Sequence, residues 1–234
     1  MRARWGAVVA VALVAAACDS GDGPPVGFGL LTPTSSPHVA GTALGADAGT
    51  VDLVSGARTV TVRTADLGTE RLRATTPDHA GVAPVLDVAD GIVSVSLVQT
   101  GEPGPSAVTL LLDPRVRWQV RMSGGSVDQR LDLRGARLSG VDFVAGVTRI
   151  DLSLPTPDRT VPVTMVGGAT EFTVHVPAGV ATGVRVTGGA ASTDVDGVRR
   201  TGLAGGTVLS TATAPDRYEV DNVAGVSTFV LDRT

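Results

Sequence analysis

Three stretches of the chain repeat one pattern: GSVDQRLDL (125–133), GVTRIDLSL (146–154) and GATEFTVHV (168–176). Each stretch begins with a glycine, and the residues that follow alternate along the chain. Four, six and eight positions after the glycine stand Gln129, Leu131 and Leu133; Ile150, Leu152 and Leu154; and Phe172, Val174 and Val176. An alternation of period two is typical of a β-strand with one buried face. The three stretches therefore predict three strands that share an apolar face.

The glycine that opens each strand belongs to a pair of small residues that recurs through the second half of the chain. The pairs end at Gly125, Gly146, Gly168, Gly189, Gly206 and Gly225, with spacings of 21, 22, 21, 17 and 19 residues. Gly56 and Gly91 extend the theme at wider spacings of 35 and 34 residues. A repeat of about 20 residues suits one coil of a parallel β-solenoid, with glycine where a strand bends into the next.

The fold class that follows is all-β, a parallel β-solenoid in which successive copies stack in chain order. Further strand candidates are Arg58–Arg63, Ile92–Leu97 and Val108–Leu112, each rich in β-branched or aliphatic residues and bounded by turn residues. We expect one folded region over residues 39–234.

The residues three and five positions after the glycines point away from the apolar face. In chain order they are Asp128 and Arg130, then Arg149 and Asp151, then Glu171 and Thr173. If the copies stack, Asp128 lies beside Arg149, Arg149 beside Glu171, and Arg130 beside Asp151. Such cross-strand pairs contribute about 0.2–1 kcal/mol each. We interpret these charges as a surface ladder in preference to an active site.

Few other residues are candidates for chemistry. Asp194 and Asp196, two positions apart, are weak candidates to bind a cation or to act as acid and base, but a solvated strand end before Gly197 explains them better. Of the histidines, His38 lies in a tether, His79 in a turn and His175 on an exposed strand face, and none neighbours another at ligand spacing. Serine-hydrolase elbows, phosphate loops and calcium loops do not occur. We predict no catalytic residue, no metal and no cofactor.

Composition argues against nucleic acid as a partner. The chain is 43% hydrophobic and 18% charged, with a net charge of -4, and its 19 basic residues are scattered among 23 acidic ones. A phosphate-binding surface needs clustered basic residues, and base stacking needs aromatic residues, which make up only 3% of the chain.

The amino terminus has the pattern of an export signal. Arg2 and Arg4 precede an apolar run over residues 5–17, too short for a spanning helix of about 20 residues. Residues 13–18, LVAAAC, resemble the lipobox of bacterial lipoprotein signal peptides. The resemblance implies cleavage between Ala17 and Cys18 and attachment of diacylglycerol to the Cys18 thiol. The alternative is an ordinary signal peptide that leaves an unpaired cysteine.

The predicted organisation is therefore a signal peptide at 1–17, a lipidated amino terminus with a flexible tether at 18–38, and the folded region. Residues 19–38 contain GDGPP and TPTSSP and few large apolar residues, which favours a tether. The protein is expected outside the cytoplasm, held at the bacterial cell membrane by its lipid. Cys18 is the only cysteine, so the folded region has no disulfide.

The glycine corners, the alternating strands and the final YEVDNVAG (218–225) resemble the putative-adhesin, or toast-rack, domains of bacterial envelope proteins. The resemblance covers residues 39–234 and is closest after Trp118. It implies a right-handed solenoid, often tethered to a membrane, without an established enzymatic site.

The preferred function is a non-enzymatic, adhesin-like surface module that binds an envelope protein or a polysaccharide. One alternative is a polysaccharide-active enzyme, a lyase or hydrolase, which needs convergent carboxylates and a basic residue in one groove, usually with aromatic sugar platforms. The other is an extracytoplasmic regulator of envelope stress signalling.

Overall fold

The computed structural model describes residues 38–45 and 47–234, and within them the chain is all-β. The predicted signal peptide, the Ala17–Cys18 cleavage site and the predicted tether up to residue 37 lie outside the described residues. No helix long and apolar enough to cross a membrane occurs in the described part. The strands are β1 (Val39–Thr42), β2 (Ala48–Leu53), β3 (Ala57–Thr64), β4 (Leu72–Thr75), β5 (Val82–Ala89), β6 (Ile92–Gln99), β7 (Ala107–Leu112), β8 (Arg117–Met122), β9 (Ser126–Asp132), β10 (Arg137–Phe143), β11 (Val147–Ser153), β12 (Thr160–Met165), β13 (Ala169–Val176), β14 (Ala181–Val186), β15 (Ala190–Val195), β16 (Val198–Leu203), β17 (Thr207–Ser210), β18 (Arg217–Asn222) and β19 (Val226–Arg233).

The strands form two sheets, and from β6 to β15 successive strands alternate between them. Sheet A has ten strands in the order β1-β4-β7-β3-β9-β11-β13-β19-β15-β16, and sheet B has nine in the order β17-β14-β18-β12-β10-β8-β2-β6-β5. A strand of sheet B, a short connection and a strand of sheet A make one coil. The coils stack in the order β6/β7, β2/β3, β8/β9, β10/β11, β12/β13, β18/β19, β14/β15, with parallel pairing between neighbouring coils.

Stacking in chain order holds for the central coils, from β8 to β13, and is wrong on both sides of them. Coil β2/β3 lies between β6/β7 and β8/β9, and coil β18/β19 lies between β12/β13 and β14/β15. Side-chain packing accounts for the second insertion. Phe229 of β19 packs edge to face on Phe172 of β13, with ring centroids 5.5 Å apart, whereas the equivalent residue of β15 is Thr193. The order found continues an aromatic stack that chain order would interrupt.

The two ends of the stack depart from the parallel pairing of the solenoid, because antiparallel strands complete the sheets there. Strands β4 and β1 continue sheet A at one end and β5 completes sheet B there, while β16 and β17 complete the two sheets at the other end. Gly206 lies in the connection from β16 of sheet A to β17 of sheet B, and not at the corner of a further parallel coil. Gly91 lies with Asp90 in the β5–β6 hairpin turn, and both residues have positive φ. A two-residue hairpin turn requires this backbone conformation, and Asp-Gly is one of the pairs that favour it.

The core lies between the sheets and is built from the inward side chains of both. It includes the predicted apolar face, and its largest members are Trp118, Tyr218, Phe143, Phe172 and Phe229, all fully buried. Phe143 of sheet B meets Phe172 of sheet A edge to face with centroids 5.5 Å apart, so the two sheets interlock.

The glycine corners between sheet B and sheet A stack directly on one another. At each corner the carbonyl that ends the sheet B strand accepts two N–H groups from the next corner; Phe143 O, for example, accepts from Val166 N at 2.8 Å and Gly167 N at 3.2 Å. Along the stack, the middle residue of the corner alternates between a residue with a side chain and glycine. In stacking order these residues are Ser55, Gly124, Ala145, Gly167, Ala224 and Gly188. A Cβ at Gly124, Gly167 or Gly188 would overlap the backbone of the neighbouring corner. Glycine is required there by close approach.

Candidate binding face on sheet A

The outward side chains of β9, β11, β13 and β19 form a surface that we call the ladder face. Parallel strands lie about 4.8 Å apart, so side chains in register form rows across the stack. The three rows are Asp128, Arg149, Glu171 and Thr228; Arg130, Asp151, Thr173 and Val230; and Asp132, Ser153, His175 and Asp232. The registers predicted for the first three strands are those found.

One of the three expected ion pairs is made across the strands. Arg149 Nε donates to Glu171 Oε2 at 2.7 Å, and this contact lowers the pKa of Glu171. Asp128 stands in register with Arg149 but makes its ion pair with Arg130 of its own strand, at 3.5 Å. Both partners of the Arg149–Glu171 pair are about half exposed, so their contribution to stability is small.

His175 is held between two carboxylates on this face. Its Nδ1 lies 2.6 Å from Asp232 Oδ1 and its Nε2 lies 3.3 Å from Asp151 Oδ1, with 24% of the side chain exposed. The contact between Nδ1 and Asp232 is a hydrogen bond, whereas Asp151 is a neighbouring carboxylate without hydrogen-bond geometry to the ring. Sequence reasoning missed this cluster because it requires β19 to lie beside β13.

The predicted weak cation candidates, Asp194 and Asp196, are each paired with a different arginine. Asp194 of β15 lies 3.6 Å from Arg199, while Asp196 accepts from Arg233 Nε at 2.7 Å. Asp196 has a positive φ and stands in the two-residue turn before Gly197, between β15 and β16. Within the described residues, no three histidine, aspartate or glutamate side chains come together as metal ligands.

Two ion pairs in the connections between strands were not predicted from the sequence. Asp113 is fully buried and accepts from Arg115 Nε at 2.8 Å, which keeps the pKa of its carboxyl well below the ordinary range. Arg117 donates from Nη1 to Asp158 Oδ1 at 2.7 Å and lowers the pKa of Asp158 to about 2. An Asp-x-Arg spacing marks the first pair and recurs in Asp132 and Arg134, which are also bonded, at 2.8 Å. That spacing was a signal available in the sequence.

The described surface has no aromatic platform, because all five aromatic side chains of residues 38–45 and 47–234 are buried. A groove of about 370 Å³ runs along the glycine corners and is lined by uncharged residues, among them Ser126, Thr148 and Thr170. A smaller cavity of about 80 Å³ lies beside Tyr218 and Pro155, and Asp158 is its only carboxylate. Neither space brings two carboxylates together.

The geometry defines a class of protein: coils that stack to form two facing β-sheets, one of which has a polar, charged outer face. Comparisons with protein-family models and with curated protein sequences found no match. Among solved structures, the chain is similar to one described as a "putative cell adhesion protein" from Clostridium sporogenes. The identity is 16%, the TM-score is 0.63, and the match covers 85% of this chain and 99% of that one. The two proteins share a fold.

Two other solved structures match over 85% of this chain and 98% of their own, both described as a "putative adhesin". The one from Bacteroides fragilis is 8% identical with a TM-score of 0.30, and the one from Parabacteroides distasonis is 9% identical with a TM-score of 0.27. Both superpose too loosely to extend the comparison.

Proposed function

We propose that this chain is an exported, lipid-anchored protein of the bacterial cell envelope whose folded part, a right-handed solenoid, is a non-enzymatic, adhesin-like binding module. The ladder face is the observation that carries the proposal. It is an open sheet surface on which two arginines are each paired with a carboxylate and the histidine lies beside two further carboxylates. The shared fold with the Clostridium sporogenes protein is consistent with this role.

The scaffold behind the ladder face suits it to binding. Its strands are paired on both sides, so their side chains are held in place before a partner arrives and little conformational entropy is lost on contact. Arginine forks and carboxylates are suited to polar partners, either hydroxyl-rich polysaccharide or an envelope protein. A contact of this kind does not need the aromatic platforms that the described surface lacks.

A matched pair of double variants tests the ladder face. Arg149→Ser with Glu171→Ser removes its cross-strand ion pair without changing net charge, while Arg121→Ser with Asp52→Ser removes the equivalent pair, 3.8 Å apart, on sheet B. We expect binding to isolated cell envelopes and to purified envelope polysaccharide to fall by about tenfold for the sheet A variant alone, as for loss of a charged contact. Equal binding by both variants would refute the assignment of the face.

The anchor requires its own experiment. Two acyl chains on Cys18 hold a protein stably at a membrane, whereas one chain is marginal. The substitution Cys18→Ser should move the protein from the membrane fraction to the soluble fraction of the producing bacterium. Retention of the variant in membranes would show that lipid on Cys18 is not the anchor.

The enzymatic alternative is tested by exposing cell-wall polysaccharides to the unmodified protein and to Asp151→Asn, Asp194→Asn and Asp196→Asn variants. We expect no release of sugar ends by any of them. Turnover that one of these substitutions abolishes would replace the binding module by an enzyme.

A further inference from the structure

The coil stack ends differently at its two ends. At one end, β1 of sheet A and β5 of sheet B are the last strands and approach each other closely. Strand β5 contains Pro84, which has no N–H to donate and makes β5 a poor edge for a further strand. At the other end, β16 and β17 are the last strands, and a pocket of about 220 Å³ is lined by residues of both. Within the described residues β16 pairs only with β15, so the other side of its backbone can accept a strand.

The pocket has an apolar wall that the fold leaves open. Val195, Val198 and Leu209 line it, and both Val195 and Leu209 pack against the core. Val198 stands in register with Val195 on the inner side of sheet A but is 57% exposed, because no further coil follows β16 within the described residues. A strand added to β16 would place its own inward side chains over Val198 and continue the core by one layer.

Arg200 points to the inner side of the same edge and also lines the pocket. Its register partner on β15 is Thr193, which is fully buried, and directly opposite residues of paired strands share a face. An inward charge on an edge strand prevents addition of a purely apolar strand, because the charge would be buried without a partner. The edge therefore discriminates among strands.

The neighbouring carboxylates do not neutralise Arg200. Asp196 lines the pocket but accepts two hydrogen bonds from Arg233, at 2.7 and 2.9 Å. Asp194 lies 3.6 Å from Arg199, on the outer side of the sheet. Within the described residues, Arg200 makes neither an ion pair nor a hydrogen bond. The carboxylate that would pair with it has to come from another molecule.

We propose that the β16 edge binds an extended peptide segment of a partner protein, in which an aspartate or glutamate stands between two aliphatic residues on the same face of the strand. Backbone hydrogen bonds to β16 give the affinity, and the inward side chains give the specificity. The carboxylate pairs with the guanidinium fork of Arg200, and an aliphatic side chain covers Val198 and Leu209. This edge lies beyond β15, apart from the ladder face, and the inference does not depend on the proposed function.

A fluorescein-labelled peptide, Thr-Val-Thr-Glu-Thr-Val-Thr, is the probe, because its valines and glutamate share one face of a strand. Fluorescence anisotropy measures its binding to the full chain in a non-ionic detergent. We expect saturable binding that Arg200→Gln weakens by about tenfold, as for loss of a hydrogen-bonded charge pair. Arg199→Gln removes the same charge from the outer side of the same strand. It is the matched control and should bind the probe as the unmodified chain does.

Two further peptides separate strand addition from non-specific attraction. Thr-Thr-Val-Glu-Val-Thr-Thr has the same composition, but its glutamate and valines lie on opposite faces, so it should bind about tenfold more weakly. With lysine in place of glutamate, the first peptide should bind Arg200→Glu more tightly than the unmodified chain, which also shows that this variant is folded. Arg149→Ser with Glu171→Ser should bind the probe as the unmodified chain does, so this test and the test of the ladder face can fail separately.

Absence of saturable binding by the unmodified chain would overturn the proposal. So would equal affinity for the two peptides of the same composition, or equal loss of affinity in Arg200→Gln and Arg199→Gln. If the probe does not bind but sedimentation equilibrium shows self-association that Arg200→Gln abolishes, the edge belongs to a second copy of this chain and the proposal is wrong.

Discussion

The corner stack makes a sharp prediction about two adjacent glycines, Gly146 and Gly167, that face each other in neighbouring coils. A Cβ added at Gly167 would overlap the backbone carbon and oxygen of Ala145 and would lie 2.6 Å from Gly146 N. A Cβ added at Gly146 meets nothing closer than Gly167 O, at 3.2 Å. Neither glycine has a positive φ, so substitution by alanine tests close approach and not backbone conformation.

The expected cost at Gly167 has two parts. Forcing a methyl group into a packed interior costs about 1–3 kcal/mol. The corner that must shift also holds two hydrogen bonds to Phe143 O, from Val166 N and Gly167 N, each contributing about 0.5–1.5 kcal/mol. Gly167→Ala should therefore lower the free energy of unfolding by about 2–6 kcal/mol. Gly146→Ala needs a shift of a few tenths of an ångström, which the lower entropy of its unfolded chain offsets, so its change should stay within about 1 kcal/mol.

Urea unfolding followed by far-UV circular dichroism measures both variants against the unmodified chain. Adding Ala145→Gly to Gly167→Ala provides a further check, because the overlapping atoms of residue 145 belong to its backbone and remain. The double variant should be no more stable than Gly167→Ala alone. Equal urea midpoints for Gly167→Ala and Gly146→Ala, or recovery in the double variant, would refute the account of the corners.

Three further predictions concern polar groups, two of them buried and the third an exposed aspartate. Asn222 is fully buried between Met165 and Val186, and its amide has no hydrogen-bond partner among the described residues. Asn222→Leu should therefore raise the free energy of unfolding, measured by urea titration, by about 1–3 kcal/mol. Asn222→Ala should give a smaller gain. Tyr218→Phe removes the 2.7 Å bond to Pro155 O and should lower the same quantity by about 0.5–1.5 kcal/mol. The pKa of Asp158 is lowered from 3.8 to about 2, so the stability it contributes is present above its ordinary pKa and is lost as pH falls through the lower one. Thermal melts between about pH 4 and about pH 2 should therefore show a smaller loss for Asp158→Asn than for the unmodified chain, and parallel losses would contradict this.

The central coils could be predicted from sequence because two independent regularities agree there. A small-residue corner and an apolar residue six positions later recur together at Gly125, Gly146 and Gly168, so both the length of the coil and the register of its strands follow. Gly91 shows the limit of this reasoning. It precedes an alternating strand as a corner glycine does, but its neighbour Asp90 makes it part of a hairpin turn.

The ladder face was predicted in part for the same reason. Arg149 and Glu171 belong to coils adjacent in both sequence and space, so their pairing could be expected from spacing alone. The contact between His175 and Asp232 joins strands 57 residues apart and depends on where β19 inserts. Corner spacing cannot decide that insertion, because coils of equal length can pair in any order and only the side chains of the core, such as Phe172 and Phe229, distinguish the orders.

The inserted coils also change how the stack holds together. In a solenoid built in chain order each coil contacts only its sequence neighbours, so the last coils can detach while the others remain folded. Here β18/β19 lies between β12/β13 and β14/β15, and β2/β3 lies between β6/β7 and β8/β9. Detaching β14/β15 therefore exposes β18/β19. Loss of β18/β19 separates β12/β13 from β14/β15, which follow one another in the sequence. Strands far apart in the chain thus become mutually dependent, which favours cooperative unfolding of the coils over fraying from one end.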